Sequence, residues 1–446
     1  MAEVAPGRTA VVADDRAMSY AELVAETDRL GSALHRRGIA DGSVVSTDLT
    51  SGPSLFALVL AALKHGLGIL PISAEHLADP RSGPLLAGLD VRLHIGDMRP
   101  DGLPSVDYPA LRADTGPAAP AAAREGFLVY LTSGTTGVPR TVARARPWYR
   151  HKGVAVLPKY GAGPDTGPHL MANPTFHLGT LGPALYALQA GAGVIVQTRW
   201  SGAGFVGLVD RYRVDSAFVA PNQLVDIASG DTAPRHYPKV VFHGGSACPP
   251  AVKRRAIGLL GPILHEYYGT SETVATEISS TEWLRRPGSV GRALPGVGLS
   301  IVDDAGHPVP AGELGEVRIT PRPVNRTATG RSVRTGDLGH LDDDGYLYVV
   351  GRLTATGDRR LARLAHAVSG LPTVTDIAVI GGDGQIVCLV ESGEARDPAL
   401  RHTIRAMAAG FGVVPVRVVV APHGTFPRTP SGKIRHVEPV AGVGPP

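Results

Sequence analysis

The sequence predicts an α/β protein: a large N-terminal domain of doubly wound parallel sheets plus a small β-rich subdomain, followed by a small mobile α+β C-terminal domain. The first observation behind this is an alternation of short apolar runs with segments of helical period that lasts from Ser19 to Gly269. The second is a change near Gly296 to short runs joined by Asp-Asp-Ala-Gly and Asp-Asp-Asp-Gly turns, reaching Val350. The third is the length left beyond Gly351, which is enough for a separate compact piece of the 446-residue chain. The expected domains are therefore 1–351 and 352–446.

Ser19 and Glu22 have the spacing of a capping box, and Tyr20, Leu23, Val24, Leu30 and Leu34 follow at helical spacing until Gly38. The stretch Ser43 to Leu49 reads as a strand, Pro53 to Gly66 as a helix, Leu67 to Ser73 and Val91 to Ile95 as strands. A Pro/Ala/Gly passage from Gly116 to Gly126 reads as a linker. Further on come a strand to Pro174, a helix Leu178 to Gly191, a strand Gly193 to Thr198, a helix to Val214 and a strand Ser216 to Pro221. They are followed by a strand Val240 to Gly244, a helix Pro249 to Gly261 and a strand Ile263 to Gly269. His177, Pro221, Gly244, Gly245, Ser246, Tyr268 and Gly269 all fall at or just past the carboxyl ends of these strands. In an open parallel sheet those ends share the edge where ligands bind. Beyond Arg352 the pattern reads helix, hairpin around Gly382 to Gly384, helix Pro398 to Ala409 and strand.

With 43% hydrophobic residues the chain can bury a large core. Its longest apolar run, Phe56 to Leu63, is far short of the roughly 20 residues that span a bilayer. No signal-like pattern opens the chain, so a cytoplasmic protein without a membrane span is expected. Cys248 and Cys388 stand far apart, with neither metal-ligand spacing nor a disulfide framework, and read as reduced fillers. A net charge of +4 spread along the chain suits anionic small ligands rather than a nucleic-acid groove. Arg144, Arg146, Arg150 and Lys152 form the one local cluster, readable as an attractor for an anion or as a solvated helix face.

The stretch from Phe127 to Val142 carries the chemistry. An apolar run, Phe127 to Leu131, enters a turn of Thr132, Ser133, Gly134, Thr135, Thr136 and Gly137 before Pro139 and Arg140. Glycines let backbone N–H groups approach anionic oxygens, and the hydroxyls add donors, so the loop can hold a polyphosphate. The Lys-Ser/Thr ending of a Walker loop is absent. Thr-Ser-Gly-Thr-Thr-Gly-x-Pro-Arg resembles the signature loop of the adenylate-forming superfamily, which contains acyl-CoA synthetases, adenylation domains of peptide synthetases and luciferases. Arg140 keeps the positive charge of the lysine that the family places there.

Further matches follow in the family's order. His243-Gly244-Gly245-Ser246 resembles the segment lining the adenine and acyl pocket. Tyr267-Tyr268-Gly269-Thr270-Ser271-Glu272 resembles the Tyr-Gly-x-Thr-Glu block. The resemblance implies that Tyr268 stacks on adenine, Ser271 faces the α-phosphate, and Glu272, with Thr132, holds Mg²⁺. Arg334-Thr335-Gly336-Asp337 resembles the Thr-Gly-Asp whose aspartate accepts the ribose hydroxyls, and Gly351-Arg352 resembles the Gly-Arg whose arginine meets ribose or phosphate. Pro427-Arg428-Thr429-Pro430-Ser431-Gly432-Lys433 resembles the loop that carries the catalytic lysine of adenylation. No lysine intervenes between Lys253 and Lys433.

His177, in Pro174-Thr-Phe-His, resembles the gate near the substrate carboxylate and is the second catalytic candidate. Phe176, His177, Val219, Gly245 and Tyr267 are the residues expected to wall the acid pocket, with Leu178 beside them. The aspartate that amino-acid activators carry near here is absent, which points to an acid without an α-amino group. After Arg352 the family continues with a hinge residue and a Gly-Gly loop over the thiol tunnel. This chain has Leu353 and Thr354 as its hinge candidates and no such loop. The expected reaction converts an aryl or short apolar acid with ATP and Mg²⁺ into an acyl-adenylate, with CoA or a carrier protein as acceptor. An amine acceptor, nitrite activation for diazotisation of an aryl amine, and a non-catalytic nucleotide sensor are the alternatives.

Overall fold

The computed structural model describes residues 5–80, 82–120, 122–132, 140–145, 166–175, 178–230, 232–270, 273–321, 332–353, 358–382, 385–428 and 432–434. Two compact units result. One comprises Met1–Val219, Pro234–Val241 and Pro323–Ala328, the other Ala220–Ala233, Phe242–Arg322 and Thr329–Pro446.

In the first unit the capping box forms as the spacing implies. Ser19 Oγ accepts from the Glu22 N–H at 3.3 Å and the Glu22 carboxylate accepts from the Ser19 N–H at 2.7 Å, starting the helix Tyr20–Arg36. The helix Pro53–Lys64 is apolar on every side because every side is covered: Leu55, Phe56, Leu58 and Val59 are fully buried. One sheet takes the order Ser105–Val106, Val91–Ile95, Val44–Thr47, Gly68–Pro71, Phe127–Thr132, Arg140–Ala145. All its neighbours are parallel except the last pair, a hairpin with Thr132 opposite Arg140. That return strand was not expected from the sequence. Arg144 lies on it and not on a helix face, because the segment pairs along its whole length with Phe127–Thr132. The other strands are ordered Arg16–Ser19, Thr9–Ala13, Val194–Val196, His169–Met171, Ser216–Val219. Only the first of these pairs is antiparallel.

In the second unit the strands from Leu264–Gly269 onward run Val274–Ser279, Ser289–Ala293, Tyr346–Arg352, Val333–Leu341, Gly315–Thr320, Gly298–Val302. Every neighbouring pair is antiparallel. The β-rich region therefore starts about twenty residues before Gly296, with a six-residue helix, Ser280–Arg285, inserted after a second capping box of Ser279 and Glu282. The stretch after Ser216–Val219 also differs from expectation. Pro221 opens a helix, Pro221–Ala228, with the Ala220 N–H donating to the Gln223 side chain at 2.8 Å. Proline at the first helical position loses nothing, since that N–H has no partner within the helix.

Beyond Arg352 come the helix Arg359–Ser369, the antiparallel pair Val374–Gly382 and Gln385–Ser392, the helix Pro398–Gly410 and the strand Val416–Ala421. The last strand lies parallel to Gln385–Ser392, as a helical crossover allows. Leu361, Leu364, Val368, Cys388, Val390, Ile404 and Val418 close a hydrophobic core of their own. Both cysteines are free; Cys388 is fully buried and Cys248 partly so. Among the described residues no helix is long and apolar enough to cross a membrane.

Candidate active site

The second unit holds five of the sequence motifs, those at 243–246, 267–272, 334–337, 351–352 and 427–433. The strands Val333–Leu341 and Tyr346–Arg352 are joined by the Asp342-Asp343-Asp344-Gly345 turn, in which Gly345 holds φ +78° and Arg286 pairs with Asp342 at 2.8 Å. This register sets Asp337 directly opposite Arg352. The Arg352 guanidinium donates to Asp337 Oδ1 at 2.7 Å and to the Thr335 carbonyl at 2.8 Å. Thr335 Oγ1 accepts from the Asp337 N–H at 3.0 Å and donates to the Val317 carbonyl at 2.7 Å, which fixes the carboxylate from behind.

Tyr268 supplies the third side. Its hydroxyl donates to Asp337 Oδ2 at 2.8 Å, so each carboxylate oxygen faces one donor. Burial, then the charge of Asp337, raises the phenol pKa and keeps the ring neutral. Gly269 follows because nothing larger fits: a Cβ there would lie 2.2 Å from the Thr273 carbonyl oxygen, where the Thr270 N–H closes the turn at 2.9 Å. Gly244 is also packed backbone to backbone, 2.5 Å from the Tyr267 carbonyl for a Cβ. Gly245 adopts φ +91° and is exposed, and Ser246 is half-buried beside it. Tyr267 stacks on the buried Phe242, with ring centroids 5.0 Å apart.

Lys433 joins this group from the far end of the chain. Burial holds its pKa below the ordinary lysine value, the Arg352 charge lowers it further, and Asp337 opposes both. Gly432 before it has φ +81°, and a Cβ there would stand 2.3 Å from Asn222 Oδ1. Leu353, the first hinge candidate, still donates its N–H to the Gly336 carbonyl at 2.8 Å. In the first unit Val219 is fully buried. The loop Ser133 to Gly137, the gate pair Phe176 and His177, the pair Ser271 and Glu272, and Thr354 lie outside the described residues, as do the side chains of Thr132, Arg140 and Leu178. Among the described residues no three His, Cys, Asp or Glu side chains converge as a metal site. A divalent cation here would need oxygens from a bound polyphosphate to complete its shell.

The model of the AMP-binding enzyme family matches residues 1–324. The chain belongs to that family. Its sequence is 27% identical over 484 residues to the indoleacetate–CoA ligase of Aromatoleum aromaticum, covering 96% of this chain and 94% of the relative. The o-succinylbenzoate CoA synthetase of Bacillus subtilis, solved with its acyl-adenylate intermediate, shares the fold at TM-score 0.81 and 19% identity, covering 97% of this chain and 95% of that one. The same enzyme solved with ATP and a magnesium ion gives 0.78 at 20% identity, covering 97% of both chains. The amide bond synthetase McbA of Marinactinospora thermotolerans gives 0.78 at 25% identity, covering 96% and 95%. As a member of the AMP-binding family the chain is an adenylate-forming enzyme.

Sequence reasoning missed Asn222 and Asp226 on the Pro221–Ala228 helix, and His423. The Pro221 to Gln223 capping pattern was the signal that could have found the helix.

Proposed function

We propose that this enzyme activates a carboxylic acid, aryl or short and apolar and without an α-amino group, using ATP. The acid's carboxylate oxygen attacks the α-phosphorus, the bond to the β-phosphate oxygen breaks, and acyl-adenylate and pyrophosphate form. A thiol, CoA or the phosphopantetheine of a carrier protein, then attacks the acyl carbon and AMP leaves. The enzyme would work in the cytoplasm, with residues 352–446 acting as a lid.

One observation carries this reading: Lys433, from the terminal loop, lies where it feels both Asp337 and Arg352. In this reading Asp337 accepts the ribose hydroxyls, Arg352 meets ribose or phosphate, and Tyr268 packs its ring on adenine. Lys433 offsets the charge that builds up on the α-phosphate and the departing pyrophosphate, and orients the carboxylate beside it. Magnesium would neutralise the triphosphate, held by Glu272 with Thr132. Thr132, Ser133, Gly134, Thr135, Thr136, Gly137 and Arg140 would cradle the phosphates, and Gly244, Gly245, Ser246, Tyr267, Gly269, Thr270 and Ser271 would complete the nucleotide site. Phe176, His177, Val219, Gly245 and Tyr267 would bound the acid, with Leu353 and Thr354 as hinge.

An amine acceptor is the second reading, favoured by the likeness to an amide bond synthetase over 96% of the chain and by a sequence that passes from Arg352 through Leu353 to Asp358 into a helix with no Gly-Gly loop between. The deciding experiment measures pyrophosphate release across a panel of acids, each with CoA, with amines or with neither. Acid-dependent release supports the reading, and thioester or amide formation identifies the acceptor. Release that requires nitrite and no acid would replace the substrate class, and ATP binding without release under any condition would make the chain a sensor.

A further inference from the structure

The loop that carries Lys433 is shaped from within and fastened from without. Within it, Arg428 pairs antiparallel with Ile434, and its guanidinium donates to the Gly432 carbonyl at 2.5 Å, to Asp376 at 2.6 Å and to Glu391. Glu391, fully buried, also accepts the Phe426 N–H at 3.1 Å. All these partners belong to the same C-terminal sheet and its following loop, so they give the loop its form without tying it to another element.

The outward ties converge on one helix face. Asn222 and Asp226 are four residues apart on Pro221–Ala228 and therefore share a face. Gly432 packs closely on Asn222, which leaves no room there for a side chain, and among the described residues no hydrogen bond is made to Asn222 Oδ1. Asp226 receives His423: Nε2 stands 3.4 Å from Asp226 Oδ1, and Nδ1 stands 3.0 Å from Glu391 Oε2. The geometry is that of a charge pair and not of two formed hydrogen bonds: the imidazolium is drawn to both carboxylates, whereas the neutral ring carries no charge for them to hold.

We propose that His423 is a positioning residue for Lys433: as imidazolium it straps the terminal loop to the Pro221–Ala228 helix, and losing its proton lets the strap go. The proposal rests on the reading of Lys433 as the cation of adenylation. The charges around the ring are Asp226 from the helix, Glu391 from the Gln385–Ser392 strand, and Arg428 of the same loop on the far side of Glu391. Asp376, on the Val374–Gly382 strand, is engaged by Arg428. Burial acts to lower the imidazole pKa, but the Asp226 and Glu391 carboxylates on either side outweigh it and raise the pKa to about 9. For a histidine raised in this way, the strap is complete below its ordinary value and is lost as the pH climbs through about 9.

The test is a pH profile of kcat for pyrophosphate release in the wild type, Asp226→Asn and His423→Gln, paired with hydrogen exchange of the peptide spanning 423–428. The wild type should lose rate and exchange protection together above pH about 9. Asp226→Asn, an isosteric change, should move both losses about one pH unit lower, the scale on which one opposite charge shifts a pKa. His423→Gln should cut the rate about tenfold at pH 7, weaken protection at every pH and leave the KM for ATP unchanged, since Asp337 and Arg352 remain. Wild-type exchange profiles in both variants would overturn the strap. If no acid gives pyrophosphate in the wild type, the functional reading fails instead, and the exchange profiles alone still judge the strap.

Discussion

Replacing Asp337 by Asn changes a charge and almost no volume, so its consequences can be worked from the hydrogen bonds. Asp337 Oδ1 takes Arg352 at 2.7 Å and Oδ2 takes Tyr268 at 2.8 Å. An amide has one acceptor oxygen, so one of the two donors must face an NH₂ group. Arg352 has a side chain 54% exposed and can turn to water, which discounts the lost ion pair to about 1 kcal/mol or less. Losing the Tyr268 bond instead costs about 1 kcal/mol. The free protein should therefore unfold only a few degrees lower, a shift on the order of that free-energy change for a chain of this size. Nucleotide binding should suffer far more. A hydrogen bond to a charged acceptor contributes about 1.5–3 kcal/mol, which is roughly a ten- to hundredfold loss of ATP affinity. Titration calorimetry with ATP, together with a thermal melt of the free protein, separates the two effects. An ATP affinity within twofold of wild type would refute the placement of the ribose on Asp337.

Two further outcomes concern stability and reactivity. Lys253 is fully buried, 2.7 Å from Glu266 and 4.9 Å from the Trp283 ring centroid. Lys253→Ala should cost about 3–5 kcal/mol in urea denaturation by stranding a buried carboxylate, and adding Glu266→Gln should recover part of that loss. A purely additive double variant would contradict the pairing. Burial pushes the Cys388 thiol up to about 12, and burial followed by the Glu266 charge raises that of Cys248. A thiol reagent at pH 8 should leave Cys388 unlabelled and the half-buried Cys248 slow to react in the folded protein, and label both after unfolding; rapid labelling of Cys388 in the native state would contradict its burial.

The Asp-Asp-Asp-Gly turn was legible because aspartates and a glycine between two short apolar runs mark a strand connection, but the register that sets Asp337 opposite Arg352 came only with the structure. The capped helix Tyr20–Arg36 was legible because its start signal and its apolar period agree. By contrast, the strands Val274–Ser279 and Arg140–Ala145 alternate with polar residues and few apolar ones, so their strand character depends on neighbours distant in sequence. The Pro221–Ala228 helix was hidden because its proline, read as a strand end, is its first turn. The strap is the extreme case: His423 and Asp226 lie almost two hundred residues apart, and neither stands in a recognisable pattern. Contacts of that span are decided by tertiary packing, which local periodicity does not encode.

The central claim is that the cation for adenylation comes from the C-terminal loop. It is tested most directly by single-turnover pyrophosphate release from Lys433→Ala alongside its ATP affinity. The account predicts a rate lower by about a hundred- to a thousandfold with ATP still bound, as for removal of one preorganised charge donor. Wild-type turnover in that variant would contradict it.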